Sequence, residues 1–296
     1  MGYKSGFFSI VGCPNVGKST LINALVGQKI AIVTDRAQTT RSRITGVVTR
    51  PGCQMIFLDT PGMTIPWNKL GEFMQKTAED ALSDVEAVLY MIDTRQGVGQ
   101  RDQAILQRLK KCKSPVIVLL NKADVATRLM VEEAREAVET AGFDTVMTIS
   151  AMKGTGLQEL ENKLMGYLTE GPQYFPEDMV TDQPERVICA EMIREKALEL
   201  LKDEVPHGIG VGMDRMQMRE DGGLMDCYAT IYCERESHKA IIIGRGGSML
   251  KKIGTEARKD MEWLLGCRVN LQLWVKIKDD WRNKQTMLNE LGYQSN

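Results

Sequence analysis

The chain has 296 residues, 38 lysines and arginines against 39 aspartates and glutamates, and a formal net charge of -1. That balance excludes a protein that grips nucleic acid by bulk positive charge, while leaving room for a local basic patch. The length, at roughly 150 residues per domain, fits about two domains. No apolar run reaches the roughly 18 residues of a membrane-spanning helix, and the short apolar start at 7–11 is too brief for a signal-peptide core. Seven cysteines without a C-x-x-C pair and only two histidines, His207 and His238, offer no zinc spacing and suggest reduced structural thiols.

In chain order, short β-rich runs alternate with helical patterns. Strands are expected near 7–11, 47–48 and 55–58, with Pro51 and Gly52 turning the last two into a hairpin. Further strands are expected at 87–92, 115–120 and 146–149. Helices are expected at 18–26, 102–111 and 131–141. Strands alternating with helices predict a mostly parallel α/β sheet covered on both faces. The rhythm breaks at 169–184, where Pro172, Pro176 and Pro184 favour a linker. After it the order becomes αββααβ: a helix at 185–204, strands near 207–218 and 225–234, a short helix, a glycine-rich turn at 244–247, a long helix to about 265, and a strand at 268–276. That order is α+β, a second kind of domain.

Four segments carry chemistry. Gly12, Cys13, Pro14, Asn15, Val16, Gly17, Lys18 and Ser19 match G-x-x-x-x-G-K-[ST] at each fixed position, between a strand and a helix. Backbone N–H groups and the helix N-terminus would cradle phosphates. Lys18 would reach the β- and γ-phosphates, and Ser19 would ligate Mg²⁺. Next, the strand 55–58 delivers Asp59, followed by Thr60, Pro61 and Gly62, a D-x-x-G. A carboxylate there can hold Mg²⁺, and the Gly62 N–H can approach a γ-phosphate. Third, Asn121, Lys122, Ala123 and Asp124 end an apolar strand. Asp124 can accept both donors of a guanine edge, and adenine would leave it desolvated and unpaired. Asn121 and Lys122 would position the base and brace the phosphate loop. Last, Ser150, Ala151 and Met152 would complete the base pocket with a backbone N–H.

These segments resemble the P-loop GTPases of the translation-factor-related class, and over nearly the whole chain the layout is similar to the Era family of bacterial ribosome-assembly GTPases. The resemblance implies nucleotide contacts from 12–20, Thr20 included, from 59–63, and from the two base-recognising segments. It makes Gln38-Thr39-Thr40-Arg41 the first switch, with Thr40 favoured over Thr39 as the threonine on Mg²⁺. Met63 stands where many small GTPases carry a water-orienting glutamine, so slow hydrolysis is expected, helped by K⁺ through Asn15 or by the partner. The catalytic set is then Asn15, Lys18, Thr40, Asp59 and Gly62. Cys13 replaces a common arginine, Thr64 replaces a frequent histidine and is given no catalytic role, and 35–37 lacks the proline that family members carry before Q-T-T-R.

In the second domain, Gly244, Arg245, Gly246 and Gly247 form a G-x-x-G between two helices, as in a KH domain, whose loop clamps about four nucleotides. Lys251 and Lys252 add charge: residues 235–259 hold seven basic and two acidic side chains. The expected organisation is a GTPase domain over 1–170, a linker over 171–184 and a prokaryotic-type KH domain over 185–296. The resemblance implies a GTP/GDP- and Mg²⁺-dependent switch that binds 16S ribosomal RNA near its 3′ end during small-subunit assembly. It further implies a cytoplasmic monomer, with peripheral contact to the inner face of the cell membrane left open. The alternative is an RNA-binding chaperone module whose nucleotide is mainly structural. Met213, Met216 and Met218 are expected to fill core, the histidines to make local hydrogen bonds, and Trp281 with Asp279 and Asp280 to form surface or terminal packing.

Overall fold

The computed structural model describes residues 2–293 except 35, 37, 38, 64, 65, 204 and 221. Gln38 and Thr64 therefore lie outside the described residues. The chain divides into two compact units, one of residues 1–33, 40–65 and 74–182, the other of residues 34–39, 66–73 and 183–296.

The first unit begins with β1 (Lys4–Gly12), α1 (Lys18–Val26), β2 (Ile44–Arg50) and β3 (Cys53–Asp59). It continues through α2 (Lys69–Asp80), whose first turns are counted with the second unit, then β4 (Ala87–Asp93), α3 (Gln100–Leu109) and β5 (Val116–Asn121). It closes with α4 (Arg128–Thr140), β6 (Val146–Thr148), α5 (Leu157–Met165) and the two-residue β7 (Thr169–Glu170). The sheet order is β2-β3-β1-β4-β5-β6, with β7 on β1. Among the described residues of this sheet, β2 and β7 are the strands that run antiparallel to their neighbours. The hairpin expected around Pro51 and Gly52 is present, with Gly52 at φ 78 supplying the left-handed turn residue. Strands β3 and β4 are buried along their whole length, as parallel strands with both faces covered must be. Two cores result, one on each face: Phe8, Leu21, Phe57, Leu89 and Leu160 on one, Val11, Ile56, Tyr90, Leu106 and Val138 on the other.

Parallel strands put their carboxyl ends on one edge, and β1, β3, β4 and β5 deliver Gly12, Asp59, Asp93 and Asn121 there. Helices α2 and α5 were not expected. Residues 171–182 count with the first unit and are tied to it: Val47 N–H donates to the Val180 carbonyl at 2.8 Å, and the Gln54 side chain bonds the backbone of Tyr174 and Phe175 at 3.0 Å.

The second unit contains α6 (Glu185–Leu200), β8 (Gly210–Met218), β9 (Leu224–Cys233), α7 (Glu236–Ile243), α8 (Ser248–Leu265), β10 (Arg268–Ile277) and α9 (Gln285–Glu290). The sheet order is β10-β9-β8, with β9 antiparallel to β8 and parallel to β10. The αββααβ order expected from the sequence is present. Its core gathers Ile193, Ala197, Val211, Ile231, Ile242, Ile253 and Met261. Met213 fills core and Met216 packs against it, but Met218 is exposed. Trp281 is fully buried, its Nε1–H donating to the Gly208 carbonyl at 2.9 Å. It is terminal packing and not a surface residue, because Gly210 of β8 leaves room for the ring. Among the described residues no helix is long and apolar enough to cross a membrane.

Candidate functional site

The turn from β1 to α1 is built by close approach. A Cβ on Gly12 would lie 2.5 Å from the Met91 carbonyl oxygen, and one on Gly17 would collide with the Asn121 amide. Gly17, at φ 103, is the N-cap of α1 and has no side chain to occupy the first-turn N–H groups. Those donors and the positive end of the helix form an anion site. Lys18 is buried, with Nζ 3.2 Å from the Gly12 carbonyl and 3.0 Å from that of Cys13. Burial lowers its pKa, and the Asp59 carboxylate opposes that shift. Asp102 of α3 holds the loop from behind, accepting from Tyr90 at 2.7 Å and from the Cys13 thiol at 3.6 Å. Burial and then Asp102 push that thiol up to about 11, so Cys13 is a neutral contact and not a nucleophile.

Beside the loop, three oxygens converge. Ser19 Oγ lies 2.9 Å from Thr40 Oγ1 and 2.7 Å from Asp59 Oδ2, and Thr40 Oγ1 is 3.5 Å from the same carboxylate oxygen. Asp59 Oδ1 is buried without a hydrogen-bond partner. Burial pushes this carboxyl up to about 6, against the pull of Lys18, Ser19 and Thr40. A buried carboxylate with an orphaned oxygen and two neighbouring hydroxyls is the donor set of a hard cation, so the residues fit Mg²⁺. Thr39 is directed elsewhere, its hydroxyl bonding Thr34 and the Arg36 carbonyl. Thr60 is buried on the Ile10 carbonyl at 2.9 Å. A Cβ on Gly62 would lie 2.9–3.0 Å from Pro14, so glycine is needed for D-x-x-G to meet the loop. The Met63 N–H reaches the Gly12 carbonyl at 3.3 Å, and its thioether offers no strong acceptor for an attacking water.

The base-recognising segments interlock with the same loop. Asn121 donates to the Val16 carbonyl at 2.8 Å and accepts from the Ala151 N–H at 2.9 Å. Lys122, at φ 65, bonds the Asn15 carbonyl at 2.6 Å and Asp93 at 2.8 Å. Asp93 was not singled out in the sequence, although its place at the carboxyl end of β4 marks it. Burial would raise its carboxyl, but Arg95 and Lys122 prevail and hold it at about 2. Asp124 is exposed in a short turn and accepts from Ser150 Oγ at 2.6 Å. The Ala151 and Lys153 N–H groups are already engaged, by Asn121 and Ser150, which leaves Met152 as the backbone donor of this turn.

In the second unit, Gly244 at φ 73 separates α7 from a tight turn of Arg245–Gly247. A Cβ there would lie 2.8 Å from the Met249 nitrogen. Gly246 and Gly247 are also left-handed, at φ 55 and 81. Ile242 and Ile253 anchor the two helices in the core, while Arg245, Lys251 and Lys252 are exposed around the loop.

Family models match both units: one described as a 50S ribosome-binding GTPase over residues 7–122, and a KH domain over residues 204–282. GTPase Era of Alkaliphilus metalliredigens is 48% identical over 295 residues, covering 99% of this chain and 100% of the relative. The chain belongs to the Era family of GTPases. Era of Clostridioides difficile is 49% identical, covering 98% of this chain and 99% of its own. A crystal structure of Era in complex with MgGDPNP and nucleotides 1506–1542 of 16S ribosomal RNA aligns with TM-score 0.95 and 40% identity, over 99% of this chain and 100% of that one. An Aquifex aeolicus Era variant bound to GDP·AlF4⁻ aligns with TM-score 0.94, 40% identity and the same coverage. The Era family thus accounts for both units.

Proposed function

We propose that this chain is a GTP-hydrolysing switch that binds 16S ribosomal RNA near its 3′ end and assists assembly of the small ribosomal subunit, as a cytoplasmic monomer. The observation that carries the proposal is the near full-length likeness to an Era bound to both a GTP analogue and that RNA segment. Nucleotide chemistry is assigned to residues 1–170 and RNA binding to residues 185–296, joined by 171–184. The glycines and N–H groups of 12–17 cradle the phosphates, and Thr20 supports the same turn of α1. Lys18 neutralises the β- and γ-phosphates. Ser19, Thr40 and Asp59 hold Mg²⁺, which offsets the charge that builds on the leaving phosphate. The Gly62 N–H meets the γ-phosphate, with Thr60 and Pro61 fixing its approach. Asp124, oriented by Ser150, accepts the two donors of guanine, and Asn121 and Lys122 lock loop and base pocket together. Gly244–Gly247 with Arg245, Lys251 and Lys252 clamps the RNA backbone.

Crosslinking the protein to RNA in cells, with sequencing of the bound fragment, tests the partner. The expected fragment is the 3′ region of 16S RNA, and recovery of no small-subunit RNA overturns the proposal. Competition with the purified protein should favour GTP over ATP by at least about fivefold, since one unpaired charged acceptor costs roughly 1–3 kcal/mol.

A further inference from the structure

Helices α6, α7 and α8 pack against one face of the three-stranded sheet of the second unit. Alternation along the strands sends Cys227, Ala229 and Ile231 of β9 and Leu271 and Leu273 of β10 into that core. It sends Tyr228 and Thr230, with Gln272 and Trp274, to the opposite face. The C-terminal segment covers just one end of that face. Gly210 admits it, since a Cβ there would lie 2.8 Å from Leu291 and 3.1 Å from Trp281, and Tyr232 is buried at the same end. Beyond it Gln272 and Trp274 are exposed and Tyr228 is half-buried, while Thr230 is buried between its neighbours. Trp274 is 44% exposed, and its ring stacks against that of Tyr228 with centroids 5.9 Å apart and planes 20° from parallel. Arg215 of β8 and Gln272 of β10 flank Tyr228 in register.

We propose that this open part of the sheet is a second docking surface for single-stranded RNA, where bases stack on Tyr228 and Trp274. The two rings already stack on one another, the Trp274 indole is the exposed member of the pair, and a base, which presents a π-face, can extend that stack. Arg215 supplies a cation for phosphate and Gln272 an amide for base edges. The neighbouring carboxylates are already committed: Asp226 to Arg219 at 2.8 Å and to Asn270 at 2.7 Å, Asp214 to Thr230 at 2.7 Å. They therefore oppose a phosphate less than free carboxylates would. A protein partner would call for apolar neighbours around the rings, whereas amides and a guanidinium surround them. The surface is also within reach of the glycine loop. Helix α7, which leads into 244–247, packs against β10, and β10 is an edge strand. RNA held at the loop needs only to round that edge to meet Trp274.

The inference rests on the 244–247 loop being an RNA clamp, and the test separates the two. The full chain and its Trp274→Ala/Tyr228→Ala variant are titrated with the 16S fragment 1506–1542 and with a single-stranded RNA of about four nucleotides, sized to fill the loop alone. The variant should lose roughly ten- to a hundredfold on the long fragment and nothing on the short one. Trp274→Phe/Tyr228→Phe, which keeps both rings, should restore most of the affinity, and unchanged circular dichroism guards against misfolding. Equal affinities of wild type and double variant for both RNAs overturn the proposal. If that variant kept its RNA affinity but no longer joined purified small subunits, the occupant would be a ribosomal protein and the proposal would fail. If the wild type bound neither RNA, the clamp itself would be refuted.

Discussion

Asp59 illustrates the cost of a cation site at the scale of one residue. Its carboxyl sits at about 6 in the folded chain because burial outweighs Lys18, Ser19 and Thr40, against about 3.9 in an unfolded one. A raised carboxyl means the folded state holds its proton more tightly. The associated stability is fully present below the unfolded value and is lost as pH rises through about 6. At neutral pH without a cation the charge therefore penalises folding by about 2–3 kcal/mol. Asp59→Asn should relieve that penalty. Urea unfolding in chelator should show the variant more stable by about 2 kcal/mol at pH 8, with roughly half of that gain gone at pH 5. The same variant should lose Mg²⁺-dependent GTP binding, and the wild type should bind Mg²⁺·GTP more weakly as pH falls below about 6. A variant less stable than wild type at pH 8 would mean the carboxylate is not desolvated as its burial implies. The sequence located Asp59 and Ser19 by motif. Only the family resemblance favours Thr40 over Thr39 there, because two adjacent hydroxyls are equal in sequence; in the fold Thr40 Oγ1 lies 3.5 Å from the carboxylate while the Thr39 hydroxyl bonds Thr34 and the Arg36 carbonyl.

Elements with strong periodicity or fixed motifs were the legible ones. Helix α1 begins and ends where its glycines place it, at Gly17 and Gly27, and the αββααβ order follows from alternating patterns and a glycine turn. Helix α2 was missed although Leu70, Met74, Ala78 and Ala81 form a buried stripe. Its Gly71 and the preceding Pro66 disguised a start that Asn68 caps, accepting from the Gly71 N–H at 2.8 Å. Between surface and terminal packing the sequence left Trp281 undecided, because its burial depends on Gly210, some seventy positions earlier, which no local pattern reveals. The phosphate loop as an element carries a further expectation. Asn15 holds a left-handed φ of 64 and its carbonyl is pinned by Lys122, so the residue sits fixed at the loop's crest. With Met63 unable to orient water, a K⁺ ligated through Asn15 would supply the missing charge. An arginine finger is worth about 10³–10⁵ in rate, and a monovalent ion should give less, on the order of ten- to a hundredfold. GTP hydrolysis should accordingly be faster in K⁺ than in Na⁺, and Asn15→Ala should remove the difference while leaving the Na⁺ rate nearly unchanged. Equal rates in both salts for the wild type would sink the K⁺ contribution.

At the scale of the whole molecule, near-zero net charge goes with separately housed functions. Residues around the glycine loop carry a local basic excess, while the chain as a whole is neutral, which limits nonspecific nucleic-acid binding. The hydrophobic cores are separate as well: two flank the sheet of the first unit and one fills the second. Chain continuity complicates this division, since residues 34–39 and 66–73 belong to the second unit yet lie in sequence between elements of the first. No strand of the first unit depends on those two segments, so its sheet should survive their release. Independent cores predict two unfolding transitions in calorimetry and not one. A ligand stabilises only the body it binds, by about 2.7 kcal/mol at a hundred times its Kd, which for a domain of some 150 residues is roughly 5–10 °C. MgGDPNP should therefore raise one transition, and the 16S fragment 1506–1542 the other. Trp274→Ala should shrink only the RNA-induced shift, and Asp59→Asn only the nucleotide-induced one. A single transition raised by either ligand would instead make the two units one cooperative body, because stabilising either would then hold the whole chain.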